Sequence, residues 1–236
     1  YNWSISGQQI ALGGRTLIMG VLGLHRDASA GKADPSAVLD LALRLEEDGA
    51  DLIEVNADPI VAGGQPISAD EELRRLVPVL RKLRHNLSVP LSLNTYNAET
   101  VSRAIEMGVQ IINDVSGLAV DPQLVKVVNE SDVGLILTHM RGTPDTWKRL
   151  PHILDLVGTI GKELESSVAR AIGAGIDRRR IVVDPGLELG KRGDENYQIL
   201  VQLDRLAALG QPLLLSPSRK HFLTGSVRAS DAAAVY

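Results

Sequence analysis

Short, nearly continuous apolar runs alternate along the chain with segments of helical periodicity. Such runs are typical of parallel β-strands, which are buried on both faces and therefore lack the polar alternation of half-exposed strands. Seven runs occur, over residues 17–24, 52–56, 89–94, 111–114, 134–139, 181–184 and 212–216. The segments between them carry apolar residues three and four positions apart, as at Val38, Leu41 and Leu45. The pattern predicts seven consecutive strand–helix units.

Seven strand–helix units favour a (β/α)₈ TIM barrel, with a doubly wound open sheet as the alternative. Ahead of them, residues 1–14 predict a β-hairpin with strands over 3–5 and 9–12. No linker or low-complexity tract interrupts the chain, so residues 1–236 are expected to form a single domain. An eighth strand should follow Lys220, but an alanine-rich segment stands there, and we expect this strand to be missing from the chain.

Composition narrows the classes of function. The 236 residues carry a formal net charge of -4 and include no cysteine, which excludes a disulfide scaffold and thiolate metal chemistry. A mildly acidic chain argues against nucleic acid as a partner. No run of about 18 apolar residues occurs, which argues against a membrane partner. Because the first residues lack the pattern of a signal peptide, a cytoplasmic location is expected.

Polar side chains collect where the predicted strands end. In barrels of this kind the C-terminal ends of the strands surround one mouth, where the chemistry takes place. The residues there are His25, Arg26, Asp27, Glu54, Asn56, Asp58, Asn94, Asn113, Asp114, His139, Arg141, Asp184, Ser218, Arg219 and Lys220. Asn94, Asn113 and Asp184 offer donors and acceptors to a flat heterocycle, and a carboxylate suits an amino-pyrimidinone because it accepts two parallel N–H bonds. Lys220 adds a donor, and Ser218 with Arg219 can hold an anion.

Four motifs resemble those of the dihydropteroate synthases. They are Ile-Asn-Asp-Val-Ser-Gly at 112–117, His-Met-Arg-Gly-Thr-Pro at 139–144, Asp-Pro-Gly at 184–186 and Ser-Arg-Lys at 218–220, in the order and spacing of that family. The resemblance implies a (β/α)₈ barrel, usually dimeric, that joins 6-hydroxymethyl-dihydropterin diphosphate to p-aminobenzoate in folate biosynthesis and uses Mg²⁺. A transferase with these two small-molecule partners is therefore expected, as a homodimer.

The resemblance also implies roles for single residues. Asn113, Asp184 and Lys220 match pterin-binding positions, and Asn94 stands where the family has a pterin-binding Asp. Ser218 and Arg219 match residues that help to hold the aminobenzoate.

Three further strand-end residues receive an interpretation from their chemistry. Met140 is assigned to the pterin site because a thioether packs well on a flat ring, although methionine also fills gaps in cores. His139 is expected to be structural. Glu54 is expected to be a buried, paired carboxylate.

The loops that hold the diphosphate depart from the family pattern. Gly23 stands where the family has an Asn that contacts Mg²⁺ and diphosphate, which leaves Asp27 as a metal candidate. Residues 60–61 are Ile and Val in place of a Thr and the diphosphate-binding Arg. Losing one donor to developing negative charge costs on the order of 10²–10³ in rate. Condensation is therefore expected to be impaired unless His25 and Arg26 supply new positive charge as anion-binding residues.

Three functions are consistent with these residues. The first is an active dihydropteroate synthase with a rebuilt anion site, and the second is a pterin-binding paralogue without the condensation. The third is a methyltetrahydrofolate-binding methyltransferase domain, because residues 55–58 together with Asn94 resemble the strand ends of such domains. The motifs at 139–144 and 218–220 belong to the synthase pattern, and an enzyme is therefore favoured.

Overall fold

The computed structural model describes residues 1–24, 34–57 and 63–224. Its strands are β1 (Asn2–Ile5), β2 (Gln8–Ala11), β3 (Met19–Gly23), β4 (Leu52–Asn56), β5 (Leu91–Asn94), β6 (Ile111–Asp114), β7 (Gly134–Thr138) and β8 (Ile181–Asp184). Its α-helices are α1 (Pro35–Glu47), α2 (Ala69–Leu83), α3 (Ala98–Glu106), α4 (Leu124–Asn129), α5 (Leu156–Gly173), α6 (Gly193–Val201), α7 (Leu203–Ala207) and α8 (His221–Thr224). No helix among these residues is long and apolar enough to cross a membrane.

Strands β3 to β8 form one parallel sheet in which neighbours in the sheet are also neighbours along the chain. A doubly wound sheet reverses its strand order at a switch point, so this uninterrupted order excludes the alternative fold. It is the order of a (β/α)₈ barrel. The predicted fold class is thereby confirmed.

Predicted and observed strands differ mainly at their ends, where fraying is expected. The last predicted strand, over 212–216, is reduced to a single bridge between Leu213 and Val183. It lies parallel to β8, since the Val183 N–H donates to the Pro212 carbonyl at 3.0 Å and the Leu214 N–H donates to the Val183 carbonyl at 2.9 Å. The segment therefore takes the place of the seventh strand without its full ladder. Residues 225–236, where the missing eighth strand would fall, lie outside the described residues.

Helix α2 shows how local chemistry defines the layer outside the sheet. The Ser68 hydroxyl accepts a hydrogen bond from the Glu71 N–H at 3.3 Å, which caps the first turn. Leu76, Leu80 and Leu83 recur at helical spacing on its buried side. They join the outward-facing residues of the strands, such as Ile53 and Leu93, in one hydrophobic cluster. Burial against the helices explains why the outward-facing residues of the strands are apolar.

The hairpin of β1 and β2 explains why inward-facing residues near the start of the strands are apolar, because it covers one end of the sheet's inner face. Trp3 and Ile5 pack in a second cluster with inward-facing strand residues such as Ile136. The Trp3 indole N–H donates to the Arg180 carbonyl at 2.8 Å. A Cβ atom on Gly134 would collide with Ile5, so glycine permits this close approach. Because the hairpin covers the N-terminal ends of the strands, a site on the inner face can open only at their C-terminal ends.

Candidate active site

Four strands of the sheet change from an apolar to a polar inward-facing residue within two positions. The pairs are Leu52 and Glu54 on β4, Ile111 and Asn113 on β6, Ile136 and Thr138 on β7, and Val182 and Asp184 on β8. Residues two apart on a strand point to the same face. The polar members therefore lie directly above the apolar cluster that the hairpin closes, at the C-terminal ends of the strands. This change within each strand is a signal in the sequence that would have identified Thr138.

Glu54 lies at the centre of a buried hydrogen-bond network. Only 5% of this residue is exposed. Its carboxylate accepts hydrogen bonds from the Asn113 amide at 2.8 Å, the Asn94 amide at 3.3 Å and the Ser92 hydroxyl at 3.3 Å. Burial raises the pKa of Glu54, and these three donors oppose the shift. The carboxylate is buried as predicted, but its partners among residues 1–24, 34–57 and 63–224 are neutral donors on the next two strands and not a cation.

Asn113 is held at both ends of its amide. Its nitrogen donates to Glu54, and its oxygen accepts a hydrogen bond from the Thr138 hydroxyl at 2.9 Å. The residue is 4% exposed, so the amide is fixed in a largely desolvated place. Each amide nitrogen carries two hydrogens and each amide oxygen two lone pairs, which leaves Asn113 with capacity toward a ligand.

Asp184 ends β8 with one oxygen more firmly held than the other. Oδ1 accepts the Gly186 N–H at 2.7 Å, whereas Oδ2 accepts the Ser216 hydroxyl at 3.4 Å. Burial raises the pKa of Asp184 to about 6, against the opposing effects of the Gly186 N–H and of the Lys191 and Lys220 charges. A desolvated carboxylate with one weakly engaged oxygen is suited to accept N–H groups from a ligand.

The structure gathers three of the predicted pterin-binding residues, Asn94, Asn113 and Asp184, on one inner face. The half-buried Lys220 is close enough for its charge to act on Asp184.

The other predicted residues occupy the rim or lie outside the described residues. Met140 is half-buried just after β7, while Ser218 and Arg219 are exposed, and Arg219 has a φ of 58°. His25, Arg26 and Asp27 belong to segment 25–33, and the altered second loop belongs to segment 58–62, neither of which is described.

Lys191 connects the loops that follow β7 and β8, a role that the sequence reasoning missed. Its ammonium donates to the His139 carbonyl and to the Gly186 carbonyl, both at 2.7 Å, in a site that lowers its pKa well below the usual value because of burial. His139 itself is buried, and its ring lies 2.7 Å from the Glu163 carboxylate. Burial and the Lys191 charge lower the pKa of His139 to about 4. This environment agrees with a structural histidine.

Sequence relatives decide to which family this site belongs. The chain matches the sequence model of the pterin binding enzymes over residues 25–234. It is 33% identical to the dihydropteroate synthase of Synechocystis sp., across 89% of this chain and 74% of that protein. It is 34% identical to the Bacillus subtilis dihydropteroate synthase, across 89% and 72%.

The chain belongs to the dihydropteroate synthase family. Solved structures of the family share its architecture. The Xanthomonas albilineans dihydropteroate synthase with 4-aminobenzoic acid has a TM-score of 0.88 at 32% identity, over 99% of this chain and 85% of that one. The same synthase in complex with 7,8-dihydropteroate has a TM-score of 0.83, over 99% and 84%. These relatives support the predicted enzyme class and favour a synthase over a methyltransferase-type domain.

The described residues do not form a protein site for the Mg²⁺ that the family resemblance implies. Gly23 has no side chain with which to bind it. Within 1–24, 34–57 and 63–224, no three His, Asp or Glu side chains gather as metal ligands. Mg²⁺ commonly binds through one or two carboxylates together with substrate phosphates.

Proposed function

We propose that the protein is a dihydropteroate synthase, which condenses 6-hydroxymethyl-dihydropterin diphosphate with p-aminobenzoate and releases diphosphate. The observation that carries this proposal is the polar layer of the half-buried Asn94 and the buried Asn113 and Asp184 above an apolar cluster, in a chain of this family. Such a layer recognises the hydrogen-bonding edge of a flat heterocycle, while the surrounding apolar walls exclude water.

Asp184 is the residue we assign to the amino-pyrimidinone edge of the pterin. Among the described residues its Oδ2 accepts one long hydrogen bond, from Ser216, and we assign this oxygen to a ligand N–H. Asn113 and Asn94 bind further ring atoms from the neighbouring strands. Lys220 donates to a ring carbonyl or nitrogen, and Met140 packs on the ring face. Together these contacts orient the methylene carbon that carries the diphosphate.

The reaction itself is a displacement at that methylene carbon. The amine nitrogen of p-aminobenzoate forms the new C–N bond, the C–O bond to diphosphate breaks, and the amine loses a proton. Ser218 and Arg219 hold the aminobenzoate carboxylate. The chain's contribution is to bring amine and carbon together and to balance the charge that develops on the leaving oxygen.

Charge balance at the leaving group depends on the first loop. We assign this task to His25 and Arg26, because Gly23 and the Ile and Val at 60–61 cannot perform it. Mg²⁺ bound with the diphosphate, with Asp27 as its protein ligand, would neutralise part of the negative charge. A calorimetric titration of Mg²⁺ with and without the pterin diphosphate checks this assignment. We expect metal binding only in the presence of the diphosphate, and its loss in Asp27→Ala.

Turnover is the direct test of the proposed function. Calorimetry with 6-hydroxymethylpterin and with its dihydro diphosphate gives the two affinities, and condensation is followed with p-aminobenzoate and Mg²⁺. Binding of both ligands together with formation of 7,8-dihydropteroate supports the synthase. If the protein binds no pterin, the proposal fails.

The losses at 23 and 60–61 favour one second candidate, a paralogue that binds pterin without condensing it. In that case the pterin binds, no product forms, and the diphosphate gives no Mg²⁺-dependent gain in affinity. A parallel titration with methyltetrahydrofolate checks the methyltransferase-type alternative, which requires a preference for the methylated folate.

We also propose that the enzyme acts in the cytoplasm as a homodimer, in line with the family resemblance. Light scattering behind size-exclusion chromatography measures the mass, for which we expect twice the 25.3 kDa of this chain. Cell fractionation checks the location.

A further inference from the structure

Glu54 occupies a layer beneath the residues assigned to the pterin. The register pairs Glu54 with Ser92, and pairs Asn94 with both Asn56 and Asn113 one layer closer to the mouth. Glu54 is therefore buried below both amides and close enough to Asp184 for their charges to interact. Burying a carboxylate at this depth costs free energy, which suggests that Glu54 has a specific role there.

The contacts of Glu54 determine how the two amides are oriented. Both Glu54 oxygens accept hydrogen bonds, so an asparagine beside either of them turns its NH₂ group, and not its oxygen, toward it. Asn94 Nδ2 lies 3.3 Å from one oxygen of Glu54, and Asn113 Nδ2 lies 2.8 Å from the other. The Thr138 hydroxyl donates to Asn113 Oδ1 at 2.9 Å, which also keeps the NH₂ group of Asn113 directed toward Glu54. In Asn94 the planar amide consequently turns its Oδ1 away from Glu54.

We propose that Glu54 is a positioning residue that makes Asn94 a hydrogen-bond acceptor for the pterin. This inference rests on the proposed function. Asn94 stands where the family has an Asp, and an Asp offers an acceptor in either orientation. An asparagine does so only while its NH₂ group is held elsewhere. The carboxyl group expected at position 94 thus lies one layer deeper, on Glu54, and Asn94 presents the neutral acceptor at the mouth.

A reciprocal exchange of charge tests the inference. In Glu54→Gln, the new amide cannot accept from both Asn94 and Asn113 with the strength of a carboxylate, and Asn94 is free to turn its NH₂ toward the ligand. We expect calorimetry to give a loss of affinity for 6-hydroxymethylpterin of about 10–100-fold, the range for a lost hydrogen bond that leaves a partner unsatisfied. In the double variant E54Q/N94D, the introduced glutamine amide donates to the new carboxylate, which is an acceptor however it turns. We expect affinity to return to within about threefold of wild type, since the remaining pterin contacts are unchanged.

Two controls separate positioning from general packing. Ser92→Ala removes the third donor to Glu54 without touching either amide, and its pterin affinity should stay near the wild-type value. Thermal unfolding of each variant shows whether it folds. If E54Q does not fold, the single variant Asn94→Asp still decides, because it places two carboxylates about 3.3 Å apart. We expect it to bind pterin more weakly at neutral pH, and E54Q/N94D to bind more tightly than N94D.

The outcomes are distinct from those of the functional test. If the wild-type protein binds no pterin, the proposed function fails. If wild type binds and E54Q binds equally well, or if E54Q/N94D is no better than E54Q, the function stands and the role of Glu54 is refuted.

Discussion

Replacing Asp184 with asparagine should move binding and stability in opposite directions. Gly186 donates its N–H to Oδ1, so the introduced amide keeps its oxygen there and turns its NH₂ toward the ligand. Two donors then face each other where the wild type pairs a carboxylate with ligand N–H groups. A hydrogen bond to a charged group contributes about 1.5–3 kcal/mol. Loss of the bond at Oδ2 therefore weakens pterin affinity by roughly 10–10²-fold.

The stability change follows from the raised pKa. Asp184 has a pKa of about 6 in the folded protein against 3.8 in a model peptide, so the folded state holds the proton more tightly. Between these two values stability falls as pH rises, because the folded state binds a proton that the unfolded state does not, and this binding weakens as the proton concentration falls. Above pH 6 the full cost, about 3 kcal/mol for about two pKa units, is present in the wild type. Asp184→Asn removes it, which corresponds to a rise in Tm of up to roughly 6–12 °C for a chain of this size.

The assay combines calorimetric titration of 6-hydroxymethylpterin with thermal unfolding at pH 5 and pH 8. The variant should lose pterin binding and gain stability at pH 8. At pH 5, which lies between the two pKa values, the gain should be about half as large. Asp132→Asn on the surface should alter neither quantity. A variant that loses stability at both pH values would show that Asp184 is chiefly structural. One that retains wild-type affinity would refute its assignment to the pterin.

Three further predictions concern the same network and its supports. In the wild type, pterin affinity should fall as pH decreases through about 6, because Asp184 is then protonated; affinity that is flat from pH 5 to 8 would contradict this. Lys191→Met leaves the His139 and Gly186 carbonyls without their shared donor. Urea unfolding should show a free energy of unfolding lower by about 2–4 kcal/mol, and kcat should also fall. Gly134→Ala forces a Cβ against Ile5 and should cost about 1–3 kcal/mol in the same assay, with an unchanged pterin Kd since it lies at the closed end.

Strand–helix alternation was predictable because it is a local property. Each apolar run reflects burial on both faces of a strand, and the runs at 52–56, 111–114 and 181–184 match β4, β6 and β8 at their bounds. The run at 212–216 shows the limit of such reasoning. Its apolar residues are compatible with a strand, but a full strand also needs a ladder, and the described residues supply one only through β8.

That Asn94, Asn113 and Asp184 stand on one inner face was also predictable, since strand ends and motifs can be read along the chain. Their state was not. Glu54 meets amides 40 and 59 residues further on, and Lys191 meets a carbonyl 52 residues before it. Such contacts depend on the register of neighbouring strands, and the raised pKa of Asp184 depends on how completely the assembled barrel excludes water. The sequence by itself determined the elements, the family and the candidate residues for a ligand site. Only the tertiary structure decided their partners, orientation and charge, because these depend on groups far apart in the chain.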